Sequence, residues 1–177
     1  MINYVYITSG SKAHLKEAEL SAKSIKQKQI QSHVTIYTDI EPTNQEYFDK
    51  IIPIEPSKTT KEAKTKRIQH LIEHKEEQYV HLDTDTYVNE KPIIENHYSI
   101  AATTSQWRQE IFNLVPSVII INKNQNSQEA LKNWLKDYTT SKTDKDQYAF
   151  DRQIRKHNYY ILSPEYSAQV GEPTQIS

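Results

Sequence analysis

Near the middle of the chain, Tyr79-Val80-His81-Leu82-Asp83-Thr84-Asp85-Thr86-Tyr87-Val88 passes from an apolar, strand-favouring run straight into two carboxylates at i and i+2. This reads as a buried strand ending at a site. Side chains alternate along an extended strand, so the spacing predicts that Asp83 and Asp85 project to the same side. Two carboxylates held so close repel each other unless a cation lies between them. That suits a hard divalent ion with oxygen ligands, Mn²⁺ or Mg²⁺, which also bridges phosphate oxygens. The alternative is that the pair caps a turn where the strand leaves the sheet.

The chain has 177 residues, enough for one domain that buries roughly 70% of its unfolded surface. We place that domain at residues 1–166, with an aperiodic tail at 167–177. A net charge of −1 gives no strong field of either sign, which weighs against nucleic acid as a partner. The absence of cysteine excludes disulfides and thiolate metal sites and is compatible with a reducing compartment. The histidines read as surface or structural groups rather than zinc ligands. No apolar run approaches the ~18 residues of a membrane span. Met1-Ile2-Asn3 enters a strand-like segment with no leader, so the expectation is a cytoplasmic protein without an integral membrane segment.

Asn3–Thr8 predicts a first strand, closed by the small turn Ser9-Gly10-Ser11, whose glycine lets a ligand approach the backbone. A helix follows over Lys12–Gln29, with Ser11 as N-cap and Ala18, Ala22 and Ile25 on one face. His33–Thr38 is a second strand ending at Asp39. The short connections imply a parallel pair with a right-handed crossover. The proline in Ile51-Ile52-Pro53-Ile54 demotes that run to an edge strand or loop. Ser57–Lys75 predicts a helix with Ile68, Leu71 and Ile72 inward and Lys58, Lys61, Lys64, Lys66 and Arg67 on a solvated face.

Beyond the Asp pair lie a loop at Asn89-Glu90-Lys91-Pro92, a strand over Tyr98–Thr103 and a buried strand over Val118–Asn122. A helix over Gln128–Tyr138 turns Ala130, Leu131, Trp134, Leu135 and Tyr138 to the core. A second helix covers Asp146–Lys156, and a last strand covers Tyr159–Leu162. Alternating strands and helices imply an α/β domain with a mainly parallel mixed sheet flanked by helices. Ligands of such sheets bind beyond the strands' carboxyl ends, where Thr8-Ser9-Gly10, Asp39 and Asp83-Thr84-Asp85 would gather.

A set of short segments, in this order, resembles the nucleotide-sugar half of a GT-A-fold (Rossmann-like) glycosyltransferase. They are Tyr4–Thr8; the helix carrying Ala18, Ser21 and Ser24-Ile25-Lys26; Thr38-Asp39; Thr65-Lys66; Leu82–Val88; Phe112-Asn113 ahead of Val118–Ile121; Asp146-Gln147; and Leu162-Ser163-Pro164-Glu165-Tyr166. The likeness is to the family 8 group that contains glycogenin and bacterial lipopolysaccharide galactosyltransferases. It implies a metal-dependent, retaining transfer from a UDP-sugar to a hydroxyl on a glycan, lipid or protein acceptor. It also implies that Ile7, Thr8, Ser9 and His14 meet the uridine, although His14 is equally an ordinary first-turn residue. By the same likeness Lys66 lies near the phosphates, Asp83 and Asp85 hold Mn²⁺ against the diphosphate, and Asn113, Asp146 and Gln147 face the donor sugar. For Asp146, N-cap duty is the rival role.

Two departures accompany the resemblance. Leu114-Val115-Pro116-Ser117 stands where relatives carry a small residue and a glycine, and nothing after His157 supplies the family's third, histidine, metal ligand. The chain therefore resembles a shortened member, and a non-catalytic nucleotide-sugar-binding module or assembly partner is the second reading. A phosphotransferase of the haloacid dehalogenase type also has Asp-x-Asp after an apolar strand. It places that motif near the chain start and follows it with a later acidic pair and glycine, which this sequence lacks.

Overall fold

The structure is a computed structural model that describes residues 1–28, 31–88, 92–107 and 111–162. Its elements in chain order are β1 (Ile2–Thr8), α1 (Lys12–Gln27), β2 (Ser32–Thr38), a 3₁₀ turn (Gln45–Tyr47), β3 (Lys50–Pro53), α2 (Thr60–Glu73) and β4 (Gln78–Leu82). There follow β5 (Ile100–Trp107), β6 (Ile111–Asn122), α3 (Gln125–Thr140), α4 (Asp146–Ile154) and β7 (Tyr159–Ile161). The strands form one sheet in the order β3-β2-β1-β4-β6-β5-β7. The loop read at Asn89-Glu90-Lys91 and the segment from Ser163 onward lie outside the described residues.

Alternation along the strands divides the core in two. Tyr4, Tyr6, Val80, Leu82, Val118 and Ile120 face α1, which contributes Leu15, Ala18, Ala22 and Ile25. Val5, Ile7, Tyr79, Ile119 and Ile121 face α2, α3 and α4, which contribute Ile68, Leu71, Trp134, Tyr138 and Phe150. The helices thus cover both faces of the sheet. β1 runs parallel to both β2 and β4, and the chain winds outward from β1 to β2 and β3 before α2 returns it to β4 on the other side. The strand order therefore reverses between β1 and β4. In an open α/β sheet that is where a crevice forms at the carboxyl ends.

The sheet is mixed beyond β4. β6 is antiparallel to both β4 and β5, while β7 returns parallel to β5. The expected strand Val118–Asn122 is the second half of a strand that begins at Ile111. Val115 pairs with Thr103 but Ile119 pairs with Ala102, so Pro116 and Ser117 sit in an irregularity of the ladder. A proline is tolerated there because no ladder hydrogen bond is asked of its nitrogen. β3 is an edge strand, as the proline in it predicts.

α1 begins at Ser11, whose hydroxyl accepts from His14 N. Asn124 caps α3 in a reciprocal box with Ser127. His70 and His74 stand i, i+4 on α2, but not as a ligand pair: His74 Nδ1 bonds the Tyr37 hydroxyl at 3.0 Å and His70 stacks on the Tyr37 ring.

Candidate active site

The first loop is built by contacts between three connections. Thr8 is buried at the end of β1, and Gly10 adopts φ 77°, a conformation that favours glycine. Gly10 N–H lies 3.0 Å from both carboxylate oxygens of Asp39, which follows β2. Ser9 Oγ accepts from Ser57 N and donates to Ser57 Oγ, each at 2.9 Å, and a Cβ on Gly10 would lie 3.0 Å from Ser57 O. The turn expected to offer its backbone to a ligand thus has its glycine N–H engaged by Asp39. The Ile7 side chain is packed in the core, and His14 is exposed on the first turn of α1.

On the neighbouring strand the chain leaves the sheet at Leu82, one residue before the acidic pair. Asp83 N donates to Ser117 O at 2.8 Å, and Thr86 N closes a turn on Asp83 O at 3.1 Å. The two carboxylates are therefore not brought together by strand alternation. A turn anchored to the irregular part of β6 presents them. Thr84 Oγ1 donates to Glu17 Oε2 of α1 at 2.9 Å, and Asp85 is exposed with no hydrogen bond to its carboxylate among the described residues.

Arg67 joins this turn to α4. Its Nη1 donates to Asp83 Oδ1 at 2.7 Å and its Nη2 to Asp146 Oδ2, while Lys64 Nζ lies 2.9 Å from Asp146 Oδ1. The Arg67 side chain is 12% exposed and the Asp146 side chain 5%, so this ion-pair network is largely withdrawn from water. Burial disfavours a charged Asp146, but Arg67 and Lys64 outweigh it and hold the carboxyl below its ordinary range. Asp83 moves the other way. Burial, with the charges of Asp85 and Asp146, pushes it above the ordinary range despite Arg67.

Beneath the pair, buried His81 donates from Nδ1 to Val5 O at 3.1 Å, and its Nε2 lies 3.8 Å from Asp83 Oδ1. Burial and the Arg67 charge push its pKa down to about 3. Trp134 carries the other side, with Nε1 donating to Asp146 O at 3.2 Å and its ring 6.0 Å from the Arg67 guanidinium.

On α2 the residue beside the carboxylates is Arg67, which the sequence reading placed on the solvated face. Lys66 Nζ donates to Glu55 O and Pro56 O at 3.0 and 2.9 Å and lies 3.1 Å from Glu62 Oε1. A helix turns about 100° per residue, so neighbouring positions face different surroundings. The signal available was that Arg67 is the only arginine in residues 1–107, set beside Ile68 on an otherwise lysine-rich face. Guanidinium, unlike ammonium, forms a fork that serves two carboxylates.

Asp146 is not the N-cap of α4. Lys145 holds that position and Asp146 is the first helical residue. Gln147 is half-buried, and its amide has no hydrogen bond among the described residues. Asn113 lies on β6 opposite Ser105, and the adjacent Leu114 N donates to Asp151 Oδ1 of α4 at 2.7 Å. The strand carrying Asn113 and the helix carrying Asp146 and Gln147 are thereby tied together.

The donor set suits a divalent ion shared with a ligand. One oxygen of Asp83 is committed to Arg67, its other oxygen and both of Asp85 remain, and the mutual repulsion of the pair favours a cation. Among the described residues no group of three or more acidic, histidine or cysteine side chains could hold a metal. An ion here would complete its shell with phosphate oxygens and water, as Mg²⁺ commonly does.

No protein-family model matches the sequence, and no curated protein matches it. Solved structures do match. The chain is similar to the apo-form glycosyltransferase GlyE of Streptococcus pneumoniae TIGR4, with TM-score 0.63 and 16% identity over 94% of this chain. It is similar to galactosyltransferase LgtC in complex with donor and acceptor sugar analogues, with TM-score 0.68 and 11% identity over 92% of this chain. An active-site glutamine-to-glutamate variant of LgtC matches with TM-score 0.66 and 11% identity over 92% of this chain. The chain spans 46% of GlyE and 74% and 73% of the two LgtC chains. Across its mixed seven-stranded sheet and the helices on both faces, the chain has the fold of these glycosyltransferases.

Proposed function

We propose that the protein is a glycosyltransferase that moves a sugar from a UDP-sugar donor to a hydroxyl of a glycan, lipid or protein acceptor. The observation that carries this reading is the arrangement at the β1–β4 switch, where two parallel neighbouring strands send the first loop and the Asp83-Thr84-Asp85 turn off the same edge of the sheet and Arg67 links that turn to the start of α4. Uridine would lie along Thr8, Ser9 and the Asp39 connection, and the diphosphate would lie over Asp83, Thr84 and Asp85. Mn²⁺ or Mg²⁺ held by Asp83 and Asp85 would stabilise the charge of the leaving diphosphate.

Asp146 keeps both oxygens on cations and stays ionised, so it serves as a fixed negative charge that orients Arg67 rather than as a proton carrier. Gln147, with its amide unengaged, is the group on α4 left to meet the donor sugar. LgtC has a glutamine in its active site, a role that Gln147 would fill here. Retention of anomeric configuration follows from the family resemblance. Operation in the cytoplasm accords with the cysteine-free composition. Among the described residues no helix is long and apolar enough to cross a membrane.

The test is calorimetry with UDP in the presence and absence of Mn²⁺, followed by a donor hydrolysis assay. Metal-dependent UDP binding lost in Asp83→Ala, together with turnover, supports the reading. A second reading, a nucleotide-sugar-binding module without catalysis, is favoured by the two-carboxylate donor set among the described residues. Binding without turnover would select it.

A further inference from the structure

The lysines of α2 look from the sequence like a solvated face, but two of them are bound to the connection between α3 and α4. Lys61 Nζ donates to Ser141 O and lies 5.7 Å from the Tyr138 ring centroid. Ser141 is the C-cap of α3, a helix with no basic residue in its last turn, so Lys61 supplies from a neighbouring helix the cation that this negative helix end lacks. One turn further on, Lys64 Nζ donates to Asp144 O at 3.0 Å and pairs with Asp146 Oδ1 at 2.9 Å. Tyr138 Oη donates to Asp144 O, and Trp134 Nε1 to Asp146 O.

The carbonyls of residues 141, 144 and 146 are therefore all captured from outside the connection. Lys61, Lys64 and Arg67 stand at i, i+3 and i+6, one stripe of α2. The connection they hold ends on Asp146 and Gln147.

From this geometry we infer that Lys61 and Lys64 are positioning residues. They fix the α3–α4 connection so that Asp146 stays against Arg67 and Gln147 stays next to it at the start of α4, and neither lysine touches the nucleotide. The inference rests on the proposed transferase function. It differs from the usual reading of such lysines because the ammonium groups act on backbone carbonyls and on one buried carboxylate, not on solvent or substrate.

The connection itself contains the exposed residues Lys142 and Lys145, which report its local opening to trypsin. Lys61→Met and Lys64→Met are each expected to speed tryptic nicking after Lys142 or Lys145 by about tenfold. Donor hydrolysis should lose roughly ten- to a hundredfold in kcat, the scale of a small misplacement of a reacting group. The donor KM and UDP affinity in Mn²⁺ should stay within about twofold. Lys64→Arg should restore most of kcat, and Lys58→Met, at an exposed position whose charge acts only on Glu62 among the described residues, should change neither nicking nor kcat. Unchanged nicking overturns the inference, as does faster nicking with wild-type kcat. Loss of UDP affinity in step with kcat overturns it as well, because Lys64 would then be a ligand contact. A wild-type chain that turns over no donor instead overturns the enzymatic reading on which the inference rests.

Discussion

Arg67 donates one guanidinium arm to Asp146, 79 residues away in sequence, and the other to Asp83, so a single side chain joins the acidic turn after β4 to the first residue of α4. The Arg67–Asp146 pairing is nearly buried while Asp83 is partly exposed, and Asp146 has a second cation in Lys64 whereas Asp83 faces the like charge of Asp85. The opposite displacement of the two carboxyls follows from that asymmetry.

Removing the shared cation exposes the cost of both acids. Arg67→Met should lower the unfolding free energy by about 3–5 kcal/mol, the usual result of stranding one side of a buried ion pair. Arg67→Lys should recover only part of this, since a compact ammonium lacks the planar, pre-organised pair of donors that Arg67 turns to Asp83 and Asp146. Urea denaturation at neutral pH measures both. A Met variant as stable as wild type would mean that the network contributes nothing net.

Much of the frame around this pair is legible in the sequence. β1 and β4 announce themselves because both are buried on two faces and are rich in aromatic, apolar and β-branched residues, with His81 the one polar side chain inside the Tyr79–Leu82 run. Arg67 does not, because a charged residue at the edge of a helix's apolar stripe looks the same whether it faces water or a pair of carboxylates. The turn after Leu82 was hidden for a different reason. Its anchor is Ser117 O, in the irregular part of β6, and nothing local to Asp83 encodes a partner 34 residues away. The antiparallel β5–β6 pairing was likewise obscured by Pro116, which argues against a strand unless the ladder breaks at that point, as it does.

Gly10→Ala should be destabilising by about 1–2 kcal/mol, the penalty for a side chain in the left-handed region. The added carbon also presses on Ser57 O at 3.0 Å. Since that oxygen belongs to backbone, relief requires the connection after β3 to move, and UDP affinity should fall along with the melting temperature. Thermal melts and calorimetry on the same sample check this. Wild-type affinity in a destabilised variant would detach the first loop from nucleotide binding.

His74 supplies a pH dependence with a definite sign. Burial, aided by the charges of Lys123 and Lys50, pushes its pKa down to about 4 from the ordinary 6.5. Above pH 6.5 the ring is neutral whether the chain is folded or not. Below it the unfolded chain takes up a proton that the folded protein refuses, so stability is lost as pH falls from 6.5 toward 4, at about 1.4 kcal/mol per pH unit at most. His81, pushed down to about 3, adds a loss of the same sign over a window reaching lower. His74→Phe keeps the edge contact with Tyr79 and removes the titration, so it should reduce the slope between pH 6 and 4 by up to about 1.4 kcal/mol per pH unit, at a fixed cost from the unpaired Tyr37 hydroxyl. Unfolding free energies measured at several pH values decide it, and a slope unchanged by the substitution would assign the acid sensitivity elsewhere.

The two acids of the turn should separate when each is replaced. Asp85 is exposed and accepts no hydrogen bond among the described residues, so Asp85→Ala should leave unfolding within about 0.5 kcal/mol of wild type. Asp83→Ala removes one of the two partners of Arg67 and should cost more, since a largely buried guanidinium then keeps only Asp146. Both substitutions should abolish the dependence of UDP affinity on Mn²⁺. Chelation with EDTA should not lower the melting temperature of the free protein, because among the described residues the pair has no third acidic, histidine or cysteine ligand with which to retain an ion unaided. Mn²⁺ and UDP together should raise that temperature by mass action, and Mn²⁺ alone should raise it far less. The raised pKa of Asp83 adds a further sign: its carboxyl must lose a proton to meet the ion, so metal-dependent UDP affinity should rise with pH through its titration. Melting curves with Mn²⁺ alone, UDP alone and both, run for wild type and the two alanine variants, separate these cases. A full stabilisation by Mn²⁺ without UDP would show an ion held by the protein itself.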